Sequence, residues 1–200
     1  MSIADCTGVL LVGGQSRRFG SNKALARLGG CRLVEHPAVI LAELFDQRLL
    51  ITNTPELYTF LDWPTTPDLS PGGGPLAGIE AALRHANTPQ IFVVGCDMPY
   101  LDRALITHLY SLAGDHDAVI PVTARGPEPL HGVYSQTALP AISAALAIGT
   151  RKLQLVLADL QVREVSETEM LAVSANALRS FSNINTVEDW PPASTEGGQG

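Results

Sequence analysis

Cysteine is scarce. Cys6, Cys31 and Cys96 are the only three, an odd number without CxxC spacing. Such usage predicts reduced thiols in a cytoplasmic protein and argues against a disulfide framework or a cysteine zinc site. No apolar stretch approaches the length a bilayer crossing needs, so no membrane partner is expected. The opening MSIADCTG lacks a basic n-region and an apolar h-region, which predicts no signal peptide. Positive charge is also short: 13 Lys and Arg stand against 20 Asp and Glu, a formal net charge of −7. That balance argues against a nucleic-acid partner. It also requires that any polyphosphate be held by local cations and a metal ion, since the overall field repels it. What the chain does have is 46% hydrophobic residues over a length of 200, enough for one ample globular domain. That domain is expected over 1–190, with a disordered tail over 191–200, where PPASTEGGQG shows no apolar periodicity.

The most informative stretch begins with Val9, Leu10, Leu11 and Val12, a continuous apolar run suited to a strand buried on both faces. It stops at Gly13-Gly14, where the backbone carries no side chains to keep a ligand away. Arg17, Arg18 and Lys23 follow closely. A strand that empties into a Gly-rich, cation-bearing loop suits a polyphosphate: backbone N–H groups give directed donors, Arg a planar fork and Lys a point charge. Two familiar phosphate loops fail here. Gly14 and Gly20 enclose five residues rather than four, and Lys23 is followed by Ala24, so this is no Walker loop. Gly-x-Gly-x-x-Gly is absent as well. Instead GGQSRRFGSNK resembles the signature loop of nucleotidyltransferases that activate a phosphorylated partner with a nucleoside triphosphate.

Along the chain, apolar spacing predicts helices over 33–45, 55–61, 76–85, 138–148 and 151–157, the last two broken at Gly149. Asp102 reads as the N-cap of another helix, reaching Leu112. Strands are predicted over 48–52, 90–95, 117–122, 130–134 and 161–165, with an extended stretch over 63–67. Strands alternating with helices, several of them apolar throughout, imply an α/β fold with a mostly parallel central sheet and helices on both faces. In such sheets ligands bind outside the carboxyl ends of the strands. Gly13, Asn53 and Asp97 each end a predicted strand, so they are expected to gather on one edge.

Asp97 follows a buried strand and suits a Mg²⁺ shell shared with triphosphate oxygens, a surface turn or, ahead of Pro99, a helix N-cap. Cys96 beside it reads as packing, with no His nearby in sequence to activate it. Lys23 and Arg18 are placed to neutralise the phosphates that leave as pyrophosphate. Asn53 and Asp68 suit contact with a base, since a carboxylate accepts both N1–H and the exocyclic N–H of guanine. Asp68 suits equally an Asx turn before Ser70-Pro71. Pro75 and Leu76 open a helix whose N-terminus can face an anion.

Taken together and in order, LLVGGQSRRFGSNKAL, DLSPGGGPLAGI, VVGCDMPYL, PLHGVY and FSNINTVEDW resemble the molybdenum cofactor guanylyltransferases, over roughly Gly8 to Trp190. The resemblance implies a Rossmann-like nucleotidyltransferase fold. It further implies Mg²⁺-dependent transfer of GMP from GTP to the terminal phosphate of molybdopterin, with or without molybdenum, releasing pyrophosphate. Carried over by position, Leu11, Val12, Gly13, Gly14, Lys23, Asn53, Asp68 and Asp97 would bind GTP, Asp97 would hold Mg²⁺, and Arg18, Lys23 and Asp97 would carry the chemistry. Asn183 and Asn185 match the pair on the family's pterin side, or else form a turn before a last helix. Arg151 and Lys152 match a basic pair there more loosely. Partners implied are GTP, molybdopterin, and recipient molybdoenzymes or delivery chaperones. Val12 stands where the family has Ala. Two other readings stay open: a relative that uses CTP on molybdopterin or acts on a sugar or polyol phosphate, and a non-catalytic nucleotide-binding adaptor for cofactor delivery.

Overall fold

The apolar run before Gly13 is the end of a longer strand, β1 (Ile3–Leu11), and the sheet is built outward from it. The structure, a computed structural model, describes residues 2–13, 22–28, 30–68, 73–184 and 189. After β1 come a short hairpin of β2 (Arg27–Leu28) and β3 (Cys31–Arg32), then α1 (Glu35–Leu44), β4 (Phe45–Ile51) and β5 (Thr65–Thr66). Next are α2 (Pro75–His85), β6 (Gln90–Gly95), α3 (Arg103–Ser111), β7 (Ala118–Thr123), β8 (Gly126–Pro127) and β9 (His131–Ser135). The described chain continues through α4 (Leu139–Ala147), α5 (Leu153–Leu157), β10 (Val162–Ser166) and α6 (Glu167–Val173). Short 3₁₀ turns at Lys23–Leu25, Pro55–Leu61 and Ala177–Phe181 complete the pieces needed below.

The strands lie in the order β10-β7-β9-β6-β1-β4-β5, with β8 paired to β7. β1 runs parallel to both β4 and β6, β5 parallel to β4, and β10 parallel to β7. Only β9, against β6 and β7, and β8, against β7, run the other way. This is the mostly parallel sheet that the apolar strands imply, because strands with consecutive residues fully buried, Val9 and Leu10 in β1 and Val93 and Val94 in β6, must be covered on both sides.

Period-two alternation divides the core. Leu10, Phe92 and Val94 pack with Leu41 of α1, Leu105 and Leu109 of α3 and Met170 of α6. Val9, Ile91 and Val93 pack with Ile79 and Leu83 of α2, Ile142 of α4 and Val156 of α5. Each such side chain, fully buried, stabilises the fold by about 1.5–3 kcal/mol. On the first face Phe45 and Phe92 stack at 5.8 Å between ring centroids. They fit because β1 carries Gly8 there: a Cβ would stand 2.7 Å from the Phe45 ring.

Several sequence expectations shift. The helix predicted over 33–45 stops at Leu44, and β4 begins at once with Phe45, so the polar Asp46 and Gln47, ahead of the predicted start at Arg48, are already strand. The 55–61 helix is a 3₁₀ turn. Neither the β2–β3 hairpin nor α6, capped by Ser166 through Glu169 N–H, is foreseen. The break at Gly149 holds, with φ at 83°, and Asp102 caps α3 by accepting from Leu105 N–H at 2.9 Å.

Candidate active site

The register brings the strand ends into one rank. Leu11 pairs with Ile51 on one side and Gly95 on the other, and Ile51 pairs with Thr66. Two residues beyond each member of that rank stand Gly13, Asn53, Asp97 and Asp68. The ladder extends one step past the strands, through Val12 N–H to Ile51 C=O at 2.9 Å, Cys96 N–H to Leu11 C=O at 3.1 Å and Thr52 N–H to Thr66 C=O at 3.0 Å. Four residues singled out from sequence therefore share the carboxyl edge of the sheet.

Asp97 is not a helix cap. Asp102 holds that position, and Asp97 sits in a turn closed by Met98 N–H on Gly95 C=O at 3.3 Å. Its Oδ2 meets Lys23 Nζ at 3.1 Å, with 13% of the Lys23 and 30% of the Asp97 side chain exposed. Its Oδ1 lies over Gly95, 2.7 Å from where a Cβ would be. Neighbouring Cys96 is half-buried, and burial together with the Asp97 charge pushes its thiol up to about 12. A thiolate nucleophile is thereby disfavoured near neutral pH.

Lys23 opens its 3₁₀ turn, which is anchored from within. Asn22 accepts from Ala24 N–H at 3.1 Å and donates through Nδ2 to the Tyr58 hydroxyl at 2.7 Å. Ala24 is buried, and its carbonyl accepts from Val34 N–H at 3.0 Å. Tyr58 is buried too, in the turn that follows Asn53, and burial raises its phenol pKa. Sequence reading passed over both Asn22 and Tyr58. Asn before a short helical turn is a capping signal, whereas nothing in the spacing points to Tyr58.

Across the rank, Asp68 N–H donates to Asn53 Oδ1 at 3.1 Å. That bond fixes the Asn53 amide and leaves its NH₂ available. The Asp68 carboxylate forms no hydrogen bond or ion pair among the described residues. Residues 69–72, which the Asx-turn reading involves, lie outside the described residues, as do Gly14, Arg18, Asn185 and the tail. Val12 directs its larger side chain into the core, 5% exposed, so the exchange for Ala falls on the packed side. In the Leu11, Val12 and Gly13 trio only Gly13 is exposed.

The last described stretch docks against the same corner. Ile184 N–H donates to Asp97 C=O at 2.9 Å, and Ile184 packs with Leu33 and Tyr100. Exposed Asn183 is thus one residue from an Asp97 contact. Ser180 accepts from Asp102 N–H at 2.9 Å, and Ser174 donates to Asp102 Oδ2 at 2.6 Å. Beneath, His131 is fully buried between the Phe92 and Phe181 rings, at 5.2 and 5.1 Å. Neither of its ring nitrogens has a partner among the described residues. Burial pushes its pKa down to about 3, opposed by the Asp102 charge. A neutral imidazole packed in this way is no proton relay at neutral pH.

Arg151 and Lys152 are exposed in the turn between α4 and α5. α4 runs antiparallel to α2, with Ser143 donating to Glu80 at 2.7 Å, which carries that turn to the same end of the sheet. No hydrogen bond or ion pair among the described residues joins the pair to Asp97. Two concavities of about 540 and 320 Å³ lie at the opposite end, lined by Leu83, Arg84 and Gln136 and by Arg48, Trp63 and His85 respectively. Neither holds any residue of the rank.

Among the described residues no three His, Cys, Asp or Glu side chains cluster as a metal cage. Asp97 is a single carboxylate, paired with Lys23 at 3.1 Å; such a donor is compatible only with an ion that, like Mg²⁺, takes one or two carboxylates and completes its shell with phosphates and water.

A family model for the MobA-like NTP transferase domain matches residues 8–180. Molybdenum cofactor guanylyltransferase from Desulfosudis oleivorans is 37% identical over 92% of this chain and 91% of that protein. Probable molybdenum cofactor guanylyltransferase from Carboxydothermus hydrogenoformans is 33% identical over 93% of each. The crystal structure of molybdopterin-guanine dinucleotide biosynthesis protein A from Archaeoglobus fulgidus superposes with a TM-score of 0.81 at 30% identity, covering 92% of this chain and 94% of that one. A match spanning most of the chain, with the sheet edge arranged as described, makes this protein a member of the MobA-like NTP transferase family.

Proposed function

We propose that this protein transfers GMP from GTP to the terminal phosphate of molybdopterin, releasing pyrophosphate. The observation that carries the reading is the rank of Gly13, Asn53, Asp68 and Asp97 on one sheet edge, with Lys23 held on Asp97 at 3.1 Å. The names of the relatives support the choice of nucleotide and acceptor.

Exposed Gly13 and the Gly14 that follows let the triphosphate approach the backbone. Asn53, its amide fixed by Asp68 N–H, and the Asp68 carboxylate, without a partner among the described residues, suit the guanine edge, the carboxylate accepting from N1–H and the exocyclic amine. Lys23 and Arg18 stabilise the charge that develops on the departing pyrophosphate. Asn183, Asn185, Arg151 and Lys152 serve the pterin acceptor. Its phosphate monoester is already an anion near neutral pH and attacks the α-phosphorus in line, so the transfer needs no general base. Neutral, buried His131 accords with that. Asp97 would hold Mg²⁺, which when bound supplies further neutralisation of the phosphate oxygens.

The test is pyrophosphate release with each of the four nucleoside triphosphates, with molybdopterin and Mg²⁺ present. Release with GTP alone, and only with acceptor, is expected. Preference for CTP, or release with a sugar phosphate instead, would replace the substrate assignment. GTP binding without release would favour the adaptor.

A further inference from the structure

We propose that Lys23 acts as a gate on Asp97, occupying the metal-binding carboxylate until a nucleoside triphosphate draws its ammonium away. The inference rests on the reading of Asp97 as the Mg²⁺ residue, and adds to it an order: divalent cation and nucleotide bind interdependently.

One Asp97 oxygen is engaged and the other lies close over the backbone. Oδ2 meets the Lys23 ammonium at 3.1 Å, and Oδ1 is folded over Gly95, 2.7 Å from the position of a Cβ. The pair is largely sheltered, with Lys23 only 13% exposed, so its attraction is screened less than that of a surface pair. A divalent ion on Asp97 would stand within a few ångströms of the Lys23 ammonium, so a cation arriving alone must either bear that repulsion or displace Lys23. It finds little in return, since among the described residues no second and third carboxylate complete a site. A triphosphate changes this balance by offering Lys23 a more highly charged partner.

The backbone stays fixed while the gate opens. Lys23 C=O accepts from Ala26 N–H at 3.1 Å, and Asn22 caps the turn through Ala24 N–H at 3.1 Å. Only the four-carbon stem needs to swing, and Lys, a flexible point charge, suits that motion where Arg would not.

The test is Mn²⁺ binding, followed by electron paramagnetic resonance on the full-length chain, with and without the α,β-methylene analogue of GTP. Without nucleotide, Lys23→Met should bind Mn²⁺ about fivefold or more tightly than wild type, because the competing charge is gone. Lys23→Gln should do the same, and adding Asp97→Asn should abolish the gain in either background. With the analogue, wild type should bind Mn²⁺ more tightly than the analogue alone does in solution. Equal Mn²⁺ affinity of wild type, Lys23→Met and Lys23→Gln without nucleotide would overturn the gate alone, provided Asp97→Asn still weakens binding with the analogue. If Asp97→Asn leaves that binding intact, the metal assignment fails and takes the gate with it.

Discussion

Acidification should destabilise this fold, and a large share of the loss should come from His131. Its ring is fully buried between Phe92 and Phe181, and its nitrogens have no partner among the described residues. Burial lowers its pKa from 6.5 to about 3, although the Asp102 charge works against that shift. The sign follows from proton linkage. Between those two values the unfolded chain binds a proton that the folded protein excludes, so stability is full above about pH 6.5 and falls as pH drops toward 3. Integrated from pH 7 to pH 5, the loss is about 2 kcal/mol. Urea denaturation at both pH values gives the wild-type loss, and the same pair of curves for His131→Phe isolates the histidine. Carboxylates such as Glu80 and Glu169, whose pKa values are lowered by their partners, also lose stability on acidification but cancel in the difference. The wild type should lose about 2 kcal/mol more than the variant. Because Phe is the bulkier ring, an NMR titration of the wild-type imidazole provides a second reading, with no protonation expected down to pH 5. A ring that titrates near its ordinary value, or equal losses in both proteins, would refute the reasoning.

Three further outcomes follow from the site and its supports. Lys23→Ala should lower kcat/KM for GTP by about 10²–10³, the cost of one charged contact in the transition state, and steady-state pyrophosphate release measures it. Asp68→Asn exchanges an acceptor for a donor at the guanine edge, so competition assays should show GTP losing about tenfold or more of its advantage over ATP; an unchanged ratio removes Asp68 from base selection. Glu80 is buried on α2, where burial raises its pKa but bonds from Ser143 at 2.7 Å and Arg84 at 2.8 Å bring it net low. Glu80→Gln should therefore cost about 1–2 kcal/mol in urea unfolding at pH 7 while leaving turnover per folded molecule intact.

What sequence made legible was the edge. Three apolar runs that stop at Gly13, Asn53 and Asp97 could only be parallel strands buried on both faces, and the parallel register then forces their ends together. Asp68 joins them through β5, a strand of just two residues that periodicity registers only as an extended stretch. The polar strand beginning stayed hidden: Asp46 and Gln47 carry no apolar alternation, yet β4 runs through them because β1 pairs with Phe45 and Gln47 on either side of Asp46. The two-residue strands around Gly30 were equally silent, since their pairing depends on a turn with φ at 90° rather than on side chains. Contacts between distant loops were the least visible part. Asn22 to Tyr58, Ile184 to Asp97 and Ser180 to Asp102 depend on where the chain returns, and no local spacing encodes that return.

Asp97 carries the proposed chemistry, and removing its charge tests that most directly. Wild type and Asp97→Asn, matched for fold by circular dichroism, would each be incubated with GTP, Mg²⁺ and molybdopterin, and the pterin product weighed by mass spectrometry. The wild type should yield molybdopterin carrying one GMP, and the variant less than about one hundredth as much in the same time. An Asp97→Asn enzyme that forms the adduct at a rate close to wild type would contradict the placement of the chemistry at this edge of the sheet.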